Sequence, residues 1–245
     1  MRALLKLFRI VNLPTVPGDV LVGAALASVS AGVSAGAVAP SRLVFAALAS
    51  CALYLHALAD NDIAGAATDG AERPIPAGEI SMAAARIARL LMLLLAFAFG
   101  WLGALPSVWW ALAFVLFALA LLYNRRRNAL WMGLCRGLNV LLGGALLLDG
   151  RASARELVPL LSVALLWTLY IAFVTHYSKN EDADPARRAV TGQLIGALVY
   201  GQLLALLAVY LVSPTVFSRN LLLAGAILLI ILRLAKRLFP KVSAS

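Results

Sequence analysis

The chain has 245 residues, 63% of them hydrophobic and only 13% charged. No soluble domain of this length needs so much apolar residue, so a soluble globular protein is excluded and a multi-pass membrane protein is implied. The net charge of +10 would point to nucleic acid in a soluble protein. In a membrane protein it marks cytoplasmic loops and contacts with anionic lipid, so the lipid bilayer is an expected partner and nucleic acid is not.

Residues 1–17 carry Arg2, Lys6 and Arg9 between Leu, Phe and Ile. They read as a short amphipathic helix at the membrane interface, broken near Pro14 and Pro17. A signal peptide is the competing reading, with Ala37-Val38-Ala39 in the form of a cleavage site. The spread of the early charges and the apolar runs downstream argue against it. The first span is expected over 19–39. Asp19 at its entrance is either an N-terminal cap or a residue facing a polar pocket.

The second span, 42–60, runs into a stretch from His56 to Glu79 that holds five acids: Asp60, Asp62, Asp69, Glu72 and Glu79. Asp62 and Asp69 are seven apart, so on a helix they share a face at a separation of about 10 Å. Asn61 points about 100° away from Asp62. Arg73-Pro74 is expected to end that helix, because proline disfavours the helical region for the residue before it. Carboxylates, an amide and an arginine crowded at a membrane surface suit Mg²⁺ and phosphate oxygens. The bland alternative is a polar loop between two helices.

The third span is expected over 81–105, with Ser81 as its cap and Arg86 and Arg89 reaching back to the surface. The fourth, 107–123, places Trp109 and Trp110 at one interface and Tyr123 at the other. Arg125, Arg126 and Arg127 follow as a basic turn, either a topogenic signal or an anchor for diphosphate. The fifth span, 128–149, contains Arg136 and Asn139, three apart on one face. An arginine inside an apolar helix is costly unless it faces a cavity or a partner. A loop acid or the substrate is the expected partner.

The sixth span, 157–178, leads into a second acidic cluster with Tyr177, Lys179, Glu181, Asp182 and Asp184, ended by Pro185. The seventh and eighth spans are 189–211 and 217–239. Cys51 and Cys135 fall inside apolar spans and read as packing residues. His56 and His176 are too few for a histidine metal site and read as caps or packing. The whole chain, 1–245, is thus one all-α domain, a transmembrane bundle of eight helices, or nine if one boundary hides a pair of short ones.

With a cytoplasmic N-terminus, the outward connections hold Arg42, Arg151, Arg155 and Arg219, and the inward segments hold nearly all other lysines and arginines. That asymmetry favours both termini inside. It also puts eight of the eleven acids, including both clusters, on the cytoplasmic face.

The first cluster resembles the first aspartate-rich motif of the UbiA superfamily of intramembrane prenyltransferases, Asn-Asp-x-x-Asp-x-x-x-Asp followed by Arg-Pro and a glycine turn. Asn61, Asp62, Asp69, Arg73, Pro74 and Gly78 match, and Gly65 stands where the middle aspartate is expected. The run Gly133 to Gly143 resembles the corresponding helix of the EboC-like subgroup. So do the entrance residues Asn12, Thr15 and Asp19 and the turn from Glu72 to Pro76. The second motif, Asp-x-x-x-Asp, is altered, though Lys179 and Glu181 echo that subgroup.

The resemblance implies a UbiA-like bundle, usually of nine spans, in a bacterial plasma membrane. It implies Mg²⁺-dependent transfer of an isoprenoid chain from its diphosphate to an unidentified acceptor, aromatic or lipid. Asn61, Asp62, Asp69 and Glu181 or Asp182 would hold Mg²⁺. Arg73, Lys179 and Arg125 or Arg126 would bind the diphosphate oxygens. Tyr54, Tyr123 or Tyr177 would face the allylic cation, and Arg136 and Asn139 would line the pocket. Gly65 and the altered second motif also fit a second reading, a non-catalytic isoprenoid-lipid binder or membrane carrier. Asp69-Gly70-Ala71-Glu72-Arg73 only grazes the signature of CDP-alcohol phosphotransferases.

Overall fold

The computed structural model describes residues 2–30, 39–70, 73–147, 153–179 and 184–238. The described residues form nine α-helices and no strand. A short α1 (Arg2–Leu7) and one 3-10 turn (Ile10–Asn12) precede eight long helices. These are α2 (Thr15–Ser30), α3 (Pro40–Gly65), α4 (Met82–Leu102), α5 (Ser107–Arg126), α6 (Ala129–Gly144), α7 (Ala154–Tyr177), α8 (Pro185–Val212) and α9 (Val216–Leu238). Among the described residues, six stretches are long and apolar enough to cross a membrane: Ile10–Ser30, α3, α4, α5, α7 and Ala189–Val212. α6 is shorter, at 16 residues, and carries Arg136. α9 carries Arg219, Arg233, Lys236 and Arg237.

The outer faces are apolar. Leu90, Phe97, Phe114, Leu165 and Leu204 are all more than half exposed. Apolar surface of that extent needs lipid against it, and the chain is an integral multi-pass membrane protein.

Two boundaries and the placement of one tryptophan differ from expectation in ways that bear on the site. The first long helix starts at Thr15 and not at 19, with Pro17 in its first turn, where the missing N–H has no helical partner to lose. α3 ends at Gly65, well before Arg73-Pro74. Turn bonds close it there, from Thr68 N and Asp69 N to Gly65 O at 2.9 and 2.8 Å, so Asp69 lies off the helix that carries Asp62. Trp109 is in the core and not at an interface: it is 1% exposed and set edge-on against Trp110.

α2 is the central helix. Some 78% of the most apolar stretch of Ile10–Ser30, which contains it, is buried, against 11% for α4. Its neighbour α6 comes close because glycines stand at the contacts. A Cβ on Gly23 would lie 1.9 Å from Val140 O, and one on Gly143 would lie 2.0 Å from Val20 O. On its other side α6 meets α7 in the same way, Gly133 against Thr168 O and Gly137 against Thr168 Oγ1. Small residues let membrane helices approach this closely.

Candidate active site

Three consecutive polar residues near the end of α3 point in three directions. Asp60 accepts from Arg89 Nη1 at 2.6 Å and from Asn124 Nδ2 at 2.9 Å. Arg89 therefore serves α3 and does not simply reach back to the surface. Asn61 lines a cavity in the bundle. Asp62 is 1% exposed, and its Oδ1 faces Arg9 Nη2 at 3.3 Å and Arg73 Nη1 at 3.6 Å. Its Oδ2 is buried without a hydrogen-bond partner. A buried carboxylate oxygen left bare is expensive, so this atom is suited to a cation ligand.

Asp69 reaches back toward this group from the turn after α3 and pairs with Arg127 Nη2 at 2.8 Å. Arg125 and Arg126 are exposed on the last turn of α5, and their neighbour Arg127 is the residue that meets the acids. Two further features sequence reasoning missed are Arg9, read only as an interfacial charge, and the clasp of the N-terminal segment around it. Lys6 pairs with Glu79, and Leu7 is fully buried against Ala59 and Ile80. Arg9 itself sits in the left-handed region, at φ 40°, ψ 50°.

The pocket beside Asn61 spans about 720 Å³, part of it open to the outside. Arg9, Tyr54, Asn61, Tyr123 and Asn124 line it together with Ser50, Cys135, Arg136 and Asn139. A second pocket, also part-open and spanning about 580 Å³, is walled by Leu93, Ala96, Phe97, Trp109 and Ala113. Leu53 and Phe117 belong to both. His56 packs on Phe117 and contacts Arg89 O at 3.0 Å, a packing role as expected.

Arg136 and Asn139 line the cavity, and the acid that pairs with Arg136 is not one from a loop. It is Asp19 of α2, at 3.0 Å, with Asp19 fully buried. Asp19 is therefore not a cap. It also accepts from Asn139 Nδ2 at 3.1 Å, Trp167 Nε1 at 3.0 Å and Gln202 Nε2 at 2.6 Å. Arg136 and Gln202 both donate to Thr15 O, at 2.9 and 2.8 Å. Ser50 donates to Asn139 Oδ1. Gln202 and Trp167 were not anticipated. An amide in the middle of an apolar span was the available signal for Gln202.

The second acidic cluster leads off the end of α7. α7 runs antiparallel to α6, with Leu160 against Gly144, Thr168 against Gly137 and Ala172 against Gly133. Its C-terminus thus lies at the end of the bundle where α5 turns into α6, the end that holds Arg127 and Asp69. Glu181 and Asp182 fall outside the described residues. Lys179 is exposed. Asp184 caps α8, accepting from Ala186 N and Arg187 N at 2.9 and 3.2 Å. The ring of Tyr177 carries the Arg187 guanidinium 5.2 Å from its centre, whereas Tyr54 and Tyr123 line the cavity.

Among the described residues no group of three or more His, Cys, Asp or Glu side chains converges. A divalent ion at Asp62 would fill its remaining positions largely with water or substrate oxygens, as Mg²⁺ does. The bare Oδ2 of Asp62 makes the residues present a fit for such an ion.

No protein-family profile matches the chain, and no curated protein matches it in sequence. Solved structures do match in fold. One concerns digeranylgeranylglyceryl phosphate synthase in membranes: TM-score 0.57, 14% identity, covering 99% of this chain and 98% of that one. A UbiA homologue from Archaeoglobus fulgidus bound to GPP and Mg²⁺ matches at TM-score 0.56 and 12% identity, over 97% of this chain and 87% of that one. The homologue bound to DMAPP and Mg²⁺ matches at 0.53 and 16%, over 96% and 87%. Likeness at such identity speaks for architecture, and over nearly its whole length the chain has the fold of the UbiA superfamily.

Proposed function

We propose that the chain is an Mg²⁺-dependent intramembrane prenyltransferase, moving an isoprenoid chain from its diphosphate to an aromatic or lipid acceptor. The observation that carries this reading is the buried Asp62 carboxylate, with one oxygen unpartnered, beside a largely apolar cavity. The fold neighbours bound to GPP or DMAPP with Mg²⁺ support it, as does the likeness to a structure concerned with digeranylgeranylglyceryl phosphate synthase. Within the superfamily, the Asn12, Thr15 and Asp19 entrance and the Gly133 to Gly143 run favour the EboC-like subgroup.

Asp62, Asn61 and Asp69 are the ligands this chain offers to Mg²⁺, with Glu181 or Asp182 from the second cluster. When bound, the ion supplies Lewis-acid neutralisation of the diphosphate leaving group. Arg73 and Arg9 converge on Asp62 and present guanidinium donors to the remaining oxygens, where charge develops as the ester bond breaks. Lys179 adds a cation from the α7 end. The apolar walls keep water from the allylic cation that ionisation leaves, and the rings of Tyr54 and Tyr123 offer it their negative faces. The prenyl tail runs along Leu53 and Phe117 into the second cavity.

The test is pyrophosphate release from geranyl, farnesyl and geranylgeranyl diphosphates with Mg²⁺, using a membrane extract as acceptor source and Asp62→Asn as control. Release that needs both Mg²⁺ and Asp62 is expected. Binding without release would favour the non-catalytic binder, a reading that Gly65 supports by removing one carboxylate.

A further inference from the structure

Two cations of α9 lie across α8, near the end of the bundle where α7 hands over to α8. Lys236 Nζ donates to Gly192 O at 3.1 Å. A Cβ on Gly196 would lie 3.1 Å from the same nitrogen, so the bare α-carbon there leaves room for the ammonium. About one turn back along α9, Arg233 Nη2 donates to the hydroxyl of Tyr200, and the guanidinium stands 5.7 Å from the centre of that ring. Arg237 follows, exposed.

Among the described residues, none of these three cations pairs with an acid. Lys236 gives one of its three N–H donors to the protein, and Arg233 gives one nitrogen of its five-donor fork. The Tyr200 hydroxyl accepts from Arg233 and keeps its own proton to donate. The groove thus offers positive charge and donors from two helices, with no counter-charge of its own among the described residues.

Helix rise sets its depth. Arg219 stands in the first turn of α9, and Lys236 lies about 26 Å further along the axis. The hydrocarbon core of a bilayer is about 30 Å thick, so Arg219 marks one interface and Lys236 the other, at the level of lipid headgroups. Away from that interface both helices turn apolar faces outward. Leu204 is one turn beyond Tyr200 on α8, and Ile230 and Ile227 are one and two turns from Arg233 on α9, all more than half exposed. Donors at headgroup depth beside apolar helix faces match a phosphate joined to acyl chains.

We propose that the groove between α8 and α9 binds an anionic phospholipid, its phosphate held by Arg233, Lys236 and the Tyr200 hydroxyl and its acyl chains lying on Leu204, Ile227 and Ile230. Guanidinium and ammonium donors suit phosphate oxygens, and basic pockets between membrane helices take anionic headgroups. A zwitterionic lipid brings its own cation to the same place and loses the charge match. The site shares no residue with the pocket beside Asn61 and does not depend on the prenyl diphosphate reading.

The experiment is isothermal titration of the purified chain in neutral detergent with dioctanoyl phosphatidylglycerol, dioctanoyl phosphatidylcholine and inorganic phosphate. The wild type is expected to bind the glycerol lipid saturably, roughly tenfold or more tighter than the choline lipid, since each cation near an anionic surface contributes several-fold. Inorganic phosphate, with no acyl chains, should not bind in the same range. Arg233→Gln with Lys236→Gln should bring the glycerol lipid down to the affinity of the choline lipid. Tyr200→Phe, which keeps the ring beneath Arg233 and removes only the hydroxyl, should weaken it by a smaller factor. Arg219→Gln, at the other interface, should bind as the wild type does. The arginines around Asp62 are intact in every variant, so any lipid they attract is common to all. Glutamine at 236 can still donate to Gly192 O, and the changed side chains lie on the outer face, so the bundle should melt as before. The proposal is overturned if the double variant binds the glycerol lipid as the wild type does, or if Arg219→Gln loses as much as the double variant. Equal affinity of the wild type for the two lipids also overturns it, as does inorganic phosphate that displaces the glycerol lipid at matching concentration.

Discussion

Arg136 of α6 and Asp19 of α2 form an ion pair at 3.0 Å, their side chains 8% and 0% exposed. The carboxylate collects four side-chain donors from α6, α7 and α8, so a single acid in the central helix ties four helices together. Losing one member leaves the other charged and buried, which typically costs about 3–5 kcal/mol. Asp19→Ala and Arg136→Ala are each expected to lower the melting temperature in detergent sharply. The double variant Asp19→Leu with Arg136→Met, which removes both charges and keeps volume, should be less damaged than either single one. A double variant worse than both would show that the pair does not act as a unit.

The closeness of α2 and α6 that this pair requires depends on two glycines. Gly143→Ala would set a Cβ 2.0 Å from Val20 O, a backbone atom that moves only with its helix. Overpacking of this kind costs about 1–3 kcal/mol, and the displacement would stretch the Asp19–Arg136 contact as well. Gly70→Ala, with nothing within 4 Å of its Cβ position, is the matched control. Thermal melts of the two variants should separate clearly. Equal melting would mean that the backbones part without strain.

The helical bundle was legible because apolar runs of span length alternate with charged connections, and the boundaries of α4 and α9 fell within a few residues of expectation. Ser81 has the residue type and place of a cap, and it does accept from Ala84 N. The site was legible in part. Asp62 and Arg73 stand together while Asn61 faces the cavity, and the shared helix face predicted for Asp62 and Asp69 fails because α3 stops at Gly65. Arg136 announced a partner without naming it, since pairing between α2 and α6 is a tertiary fact that helical periodicity does not encode. Arg127 was indistinguishable from its two neighbours in the sequence. The left-handed backbone at the end of α5 singles it out.

Asp184 belongs by sequence to the second acidic cluster, yet its carboxylate is spent on the first two amides of α8. Asp184→Ala is therefore expected to cost about 1 kcal/mol of stability, the usual value of a lost N-cap, and to leave geranylgeranyl diphosphate binding unchanged. Asp184→Ser, another good cap, should restore the stability. A large loss of Mg²⁺-dependent binding in Asp184→Ser would instead make this acid part of the site.

Leu53 and Phe117 line both cavities, so on the proposed path of the prenyl tail the second one sets how much of it the first can pass on. Ala96 lines only the second cavity and is 3% exposed. Ala96→Phe would fill space there without touching Asp62, Asn61 or Arg127. Each buried methylene contributes about 0.8 kcal/mol, so excluding even one isoprene unit should weaken a long tail by roughly tenfold or more. The expected outcome is weaker geranylgeranyl diphosphate binding with geranyl diphosphate binding unchanged. If both ligands weaken together, the side chain acts through packing of α4 on α5. If neither changes, the tail leaves the first cavity by another route, between helices toward the lipid.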